Sequence, residues 1–352
     1  MTGPHRDVAA ARHHLRTCIR THVPDLPLSG EVILVGCSGG QDSLALAATL
    51  AFCAPRDGYR VHAVIIDHQV REESADDASR AATACAQLGL PAEVRQVRVP
   101  GGRQGSGHGG PEAAARTARR AALAAAAADH NARAVLLGHT LDDQAETVLL
   151  GLARGSGARS LAGMRERDGL WLRPFLGLRR AHTAAICEEL ALPVVADPSN
   201  DVDGPWRQAD GQPLRRTALR ARAIPALREV LGPGVDLALA RTATQLQRDD
   251  DYLQVLAQEA LDTVVVGENP TCLAQAATAA LPAAIRTRVL HTALVGAARP
   301  GEQVTAEQVE QVDRLVRLRA VHGPIYCAGG VIVTKENGML TVATNEGGIG
   351  AR

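Results

Sequence analysis

Glu31 to Leu50 reads EVILVGCSGGQDSLALAATL, and its two ends differ in kind. Val32 to Val35 is a short apolar, β-branched run that suits a buried parallel strand, while Leu44 to Leu50 has the Ala/Leu composition of a helix. Between them lies Cys37-Ser38-Gly39-Gly40-Gln41-Asp42-Ser43. Two consecutive glycines let the backbone turn tightly with its N–H groups inward, and the following helix adds its unpaired amides and positive dipole end. Ser38 and Ser43 add hydroxyl donors, so the turn from Ser38 through Gln41 to Ser43 is expected to cradle a pyrophosphate. Asp42 is out of place against phosphate unless a cation stands between, which points to Mg²⁺.

Two better-known nucleotide motifs are excluded. A Walker A loop closes with Gly-Lys-Ser/Thr, and the one lysine of the chain is Lys335. A dinucleotide fingerprint needs G-x-G-x-x-G, which Gly36, Gly39 and Gly40 do not supply. The turn instead resembles the SGGxDS signature of the PP-loop ATP pyrophosphatase superfamily. Its members split ATP into AMP and pyrophosphate to activate a carbonyl or carboxyl oxygen.

At 352 residues the chain exceeds one comfortable core, which favours two domains. No apolar run is long enough to span a bilayer and MTGPHRDVAA lacks a signal pattern, so a cytoplasmic protein is expected. Seven cysteines without a CxxC pair argue against a disulfide framework and against a zinc or iron–sulfur site. With 38 basic and 38 acidic residues, no global field draws in a polyanion, and nucleic acid has to be held by a local patch.

Around the opening turn, strand and helix signals alternate: a helix from Val8 to Thr21, strands at Val61 to Ile66 and Ala92 to Val99, and a helix from Ser74 to Leu88. This alternation implies an α/β fold with a doubly wound parallel sheet, whose ligands sit at the carboxyl ends of the strands. Asp67-His68 falls at such an end. The glycine-rich stretch Pro100 to Gly110 reads as a lid or a surface insertion, and an alanine-rich helix then runs to Asp129.

A fourth strand, Ala134 to Leu137, leads into GHTLDDQAET (138–147). If Leu141 opens a helix, His139 sits at its mouth, Asp142 and Asp143 lie in its first turn, and Glu146 follows one turn later. One acid would serve as a cap; three beside a histidine form a titratable cluster at a strand end. Farther on, Arg215, Arg216, Arg220, Arg222 and Arg228 make the strongest local basic patch, a candidate for RNA phosphates or else a solvated face. Leu237 to Leu261 reads as one long helix with Asp249-Asp250-Asp251 on its exposed side, and Asn337-Gly338 marks a hairpin. The expected division is an N-terminal helix in 1–29, the nucleotide domain in 30–201, and a helical linker with the basic patch in 202–262. A small α+β domain in 263–345 and a tail in 346–352 follow.

Together these segments resemble the tRNA(Ile)-lysidine synthetase family from Glu31 to about Arg319. The match runs through CSGGQDS (37–43), Asp67-His68 with Arg71, EAAAR (112–116), the 138–147 stretch, RGSG (154–157), Arg173-Pro174 and DPSN (197–200). The resemblance implies that ATP adenylates the wobble cytidine of the isoleucine tRNA with anticodon CAU at O2, and that free L-lysine then displaces AMP. It implies Ser38 to Ser43, Asp67 and Arg116 for ATP, and Asp42, Arg116 and His139 as catalytic residues, Asp42 also holding Mg²⁺. Asp143 and Glu146 would bind lysine, and Arg154, Arg216, Arg220 and Arg222 the tRNA. Family members are often homodimers, though no interface patch stands out here. Two departures are visible: Arg216-Thr217 replaces the family's Arg-Asn after an apparent insertion, and the chain resembles the shorter members that lack the last C-terminal domain. The rival readings are a PP-loop tRNA thiolase, disfavoured by the unpaired cysteines, another ATP pyrophosphatase such as an amidotransferase synthetase, and a non-catalytic RNA-binding relative.

Overall fold

Val32–Gly36 (β1) lies inside a six-stranded sheet, which explains why it is apolar on both faces. The computed structural model describes residues 4–26, 31–69, 73–97, 110–154, 157–195, 202, 204, 207–208, 211–268, 271–299, 302, 304–318 and 323–344, the side chains of 110–113 and 268 excepted. Ile33 and Val35 pack into one core with Leu15, Leu44, Leu46 and Ala81, whereas Leu34 enters a second with Leu123, Ala126 and Val135. Each of these three strand side chains is fully buried, contributing about 1.5–3 kcal/mol. One face is thus covered by Arg6–His22 (α1), Gln41–Asp57 (α2) and Ser74–Gln87 (α3), the other by Gly110–Asp129 (α4).

β1 pairs in parallel with Arg60–Asp67 (β2) on one side and Val135–Leu137 (β4) on the other. Ala92–Gln96 (β3) adds to β2, and two short strands, Arg167–Asp168 (β5) and Trp171–Leu172 (β6), lie beyond β4, giving the order β3-β2-β1-β4-β6-β5. The strand order reverses between β1 and β4, and the crevice at such a reversal is where open α/β sheets bind ligands. The doubly wound expectation holds. β5 and β6 were not anticipated, because two-residue strands carry no readable period.

The first compact unit runs to Thr244 and the second from Gln245, a division that falls within one helix, Val235–Val264. Arg215–Ala218, the π turn Leu219–Ala223 and Ile224–Leu231, read from sequence as linker, therefore belong to the first unit. The second unit is an antiparallel sheet in the order β7-β8-β11-β10-β9: Val265–Glu268, Thr271–Ala274, Met339–Thr344, Val331–Glu336 and Ile325–Tyr326. Leu273, Val333, Leu340 and Val342 of this sheet share a core with Val289, Leu290 and Leu294 of Ala283–Ala297 and with Val312 and Leu315 of Ala306–Arg317. Its hairpin turns at Asn337 and Gly338, both with positive φ (50° and 76°), as an Asn-Gly two-residue loop requires. The acidic run needs correction: Asp250 is buried and receives Arg288 Nη2 at 2.9 Å, so only Asp249 and Asp251 face out. The loop at 100–109, Arg71, Gly155-Ser156 and the DPSN stretch lie outside the described residues.

Candidate active site

The turn after β1 is held by its own side chains. Ser43 Oγ donates to the Gly40 carbonyl at 2.9 Å and accepts the Ser38 amide at 3.1 Å. Gly39 has φ +80°, and a Cβ there would lie 3.0 Å from Ala81 Cβ and 3.1 Å from Val195 Cγ2. Gly40 needs no special backbone (φ −72°, ψ 160°), and no side chain caps the helix that starts at Gln41. The first amides of that helix are thereby left for an anion. The Gln41 side chain turns away, donating to the Arg180 carbonyl (2.9 Å) and Thr183 Oγ1 (3.0 Å), so only its backbone belongs to the cradle.

Gly138, at the end of β4, brings a second element close. A Cβ there would be 2.7 Å from the Asp42 carbonyl, so only glycine lets β4 meet the first turn of α2. The acids that follow converge on cations. In Leu141–Arg154 (α5), Asp143 is buried; its Oδ2 accepts the Thr140 amide at 2.8 Å and its Oδ1 accepts Arg180 Nη2 at 2.6 Å. Burial opposes its charge, but Arg180 and the Thr140 amide outweigh it and hold the carboxyl below its usual range. Glu146, at 0 % exposure, receives Arg220 Nε at 2.8 Å, with Arg180 at 3.7 Å and Arg216 at 3.9 Å. Asp42 takes Thr183 Oγ1 on one oxygen and Arg180 Nε (3.2 Å) on the other. Burial pushes its pKa up, against the pull of Thr183 and Arg180. Asp142 instead accepts the Arg180 amide at 2.7 Å, tying Arg180–Glu189 to α5.

Opposite these acids stands an excess of positive charge. Partial desolvation, and then the neighbouring Arg216, Arg120, Arg173 and Arg119, bring the Arg116 guanidinium down to about 10. Glu146 and Asp168 offset part of this charge through Arg216, Arg120 and Arg173, and an anionic ligand would relieve the rest. His139 lies between the two fields. Burial first, with Arg173 and Arg116 adding and Asp143 opposing, keeps its pKa far below the ordinary value, so the ring is neutral at pH 7. Its Nδ1 is buried with no hydrogen-bond partner.

Residues 12–227 match the family model described as a PP-loop domain. The tRNA(Ile)-lysidine synthase of Thermobifida fusca is 47% identical over 90% of this chain and 91% of its own length. That of Streptomyces coelicolor is 46% identical over 91% and 87%, and that of Leifsonia xyli 44% over 89% and 90%. The chain belongs to the tRNA(Ile)-lysidine synthase family. Membership makes it an ATP-using ligase, and the PP-loop match assigns ATP to the Ser38 to Ser43 domain. A U34-tRNA thiolase from Methanococcus maripaludis, structurally similar with a TM-score of 0.56 over 68% of this chain and 79% of its own, is 17% identical and shares the fold alone.

For a lysidine synthase family member, the remaining expected residues are distributed as follows. Asp67 is buried at the end of β2, its Oδ1 accepting the Gln69 amide at 2.9 Å. Arg154 and Arg222 are exposed, whereas Arg216 and Arg220, expected to face tRNA, point at Glu146. Arg228, of the same basic patch, pairs with Asp142 and Asp236. Donor chemistry at Asp42 fits Mg²⁺: it is an oxygen ligand beside an anion cradle, with a second carboxylate, Asp143, across one guanidinium. Sequence reasoning missed Arg180 and Thr183. The available signal was Arg179-Arg180 opening a helix, where the dipole disfavours cations, so that Arg180 needs acids to hold it.

Proposed function

We propose that the chain joins free L-lysine to the wobble cytidine of a tRNA(Ile) with anticodon CAU. In the first step cytidine O2 attacks the α-phosphorus of ATP and pyrophosphate leaves; in the second the lysine ε-amine attacks C2, loses its proton, and AMP departs with O2. The observation that carries this reading is the meeting, at one topological switch point, of an anion-accepting turn with the buried acids Asp143 and Glu146. An ammonium group asks for acceptors of the kind that Arg180 and Arg220 now occupy.

Ser38, Gly39, Gly40 and Ser43 with the Gln41 and Asp42 amides hold the pyrophosphate, Asp67 serves the nucleotide, and Arg116 meets charge developing on the α-phosphate. Mg²⁺ on Asp42 would supply further neutralisation of the departing group. His139 is too weakly basic to carry a proton at rest and is suited to a hydrogen bond with the adenylated cytidine. Exposed Arg154 and Arg222 bind tRNA phosphates directly; Arg216 and Arg220 do so only by leaving Glu146. A homodimer and a cytoplasmic location rest on the resemblance, beside the fact that no described helix is long and apolar enough to cross a membrane.

The test is AMP release from ATP by purified protein with lysine, with and without a tRNA(Ile) transcript bearing CAU, a CAU methionine tRNA being the control. Release that requires both lysine and the isoleucine tRNA is expected. Release indifferent to lysine assigns another PP-loop modification, and tRNA binding without release assigns a non-catalytic role.

A further inference from the structure

Three side chains with no part in this chemistry meet on the α4 face of the first sheet, toward the strand ends away from the Ser38 turn. His62 comes from β2, Glu93 from β3, and His130 from the residue after α4. Their ligand atoms all lie within 4.8 Å of one another. The imidazole centroids are 4.2 Å apart with planes tilted by 35°, and His130 Nε2 is 3.4 Å from Glu93 Oε2. His62 Nε2 is buried and has no hydrogen-bond partner, a state that costs free energy unless something else completes it. The other Glu93 oxygen accepts Arg95 Nε at 2.7 Å, and Arg95 also holds Asp129 at 2.8 Å. The oxygen nearer His130, 3.4 Å from its Nε2, would exchange that contact for a cation, while its partner is oriented by Arg95, as outer residues orient ligands around metal sites.

We propose that His62, Glu93 and His130 form a binding site for a divalent transition-metal cation, with zinc the best fit. Two imidazoles and one carboxylate suit a borderline cation, whereas Mg²⁺ and Ca²⁺ prefer oxygen alone. All three residues are half-buried, so part of the cluster is in reach of solvent. The missing CxxC pairs do not bear on it, since it uses no thiolate. The cation would fasten β3, which ends the sheet among the described residues and pairs with β2, to the end of α4. A second cluster, Cys18, His22 and Glu166, is a weaker candidate: His22 already bonds Glu166 at 2.9 Å, and Cys18 is a fully buried thiol.

The test uses the full-length chain, stripped with EDTA, desalted and titrated with Zn²⁺ or Co²⁺. One equivalent per chain is expected, with a rise in Tm on adding Zn²⁺ and Co²⁺ d–d bands lacking thiolate charge transfer. Glu93→Gln and His130→Ala should each weaken binding by about tenfold or more, and His22→Ala should leave it unchanged. Melting in EDTA checks the fold; should His130→Ala unfold, the near-isosteric Glu93→Gln decides. Absence of a stoichiometric site, unaltered binding in Glu93→Gln, or loss in His22→Ala with thiolate charge transfer would overturn the proposal.

Discussion

The two units treat buried charge differently. In the second, Arg286 gives Nε to Asp313 at 2.6 Å and Nη1 to the carbonyls of Leu281 (2.6 Å) and Ala279 (3.3 Å), while Asp313 takes Arg317 on its other oxygen at 2.7 Å. Donors and acceptors are matched. In the first, His139 Nδ1, Arg173 Nε and Asp236 Oδ1 are buried without partners, and Arg116, more exposed, stands among other arginines. An unpaired buried polar atom costs about 1–3 kcal/mol, so folding alone gives no reason to keep several. On the proposed function, the second unit spends its charges on its own stability and the first holds some in reserve for ligands.

The largest test of this contrast pairs Arg116 with Arg286. Arg116→Ala should cut AMP release about 10²–10³-fold, as loss of a group that meets transition-state charge does, yet leave Tm unchanged or raised because like charges are relieved. Arg286→Met should cost about 3 kcal/mol by leaving Asp313 half-answered, with AMP release within about twofold well below the melting temperature. Melting curves and single-turnover AMP assays on both variants read the four outcomes. Early melting with full activity in Arg116→Ala would break the contrast.

How much of this could be read in advance follows from where each signal is encoded. Ser38 to Ser43 and 138–147 were legible because strand, turn and helix start are contiguous there, and the chemistry is carried by local spacing. Arg180 was not: it lies 38 positions beyond Asp142, and only the parallel topology and the Asp142 bond to its amide bring it between Asp42 and Asp143. The basic patch was visible as composition, but which arginines turn inward depends on the π turn Leu219–Ala223, whose register no periodicity announces. Asp250 illustrates the same limit, its burial set by Arg288 on another helix.

A pH series sharpens the comparison at intermediate size. His139 in the folded chain refuses the proton that an unfolded imidazole accepts below about pH 6.5. Its contribution is therefore complete above that pH and lost as pH falls toward the depressed folded value, about 2 kcal/mol between pH 7 and 5. Asp313 behaves otherwise. Burial opposes its charge, but Arg286 and Arg317 outweigh it and depress its pKa, so its contribution persists above about pH 4 and fails only as pH falls through the folded value. Peptide-resolved hydrogen exchange should show protection near His139 falling from pH 7 to 5 while that around Asp313 holds, after correction for the intrinsic rate. His139→Gln should flatten the first trend; equal losses in both regions would count against the assignment.

The smallest effect separates strain from function at two glycines of the same hand. Gly39 and Gly338 have φ of +80° and +76°, so alanine at either costs about 1 kcal/mol from the backbone alone. A Cβ at Gly338 meets nothing within 4 Å, whereas at Gly39 it presses on Ala81 and Val195. Gly338→Ala should therefore lower Tm slightly and leave the KM for ATP unchanged. Gly39→Ala must shift the turn to relieve its contacts, which moves the uncapped amides at the start of α2 and should raise the KM for ATP about tenfold, at a Tm cost not much larger. Equal KM values in the two variants would mean that the turn tolerates a changed backbone, and that its glycines serve packing rather than the phosphates.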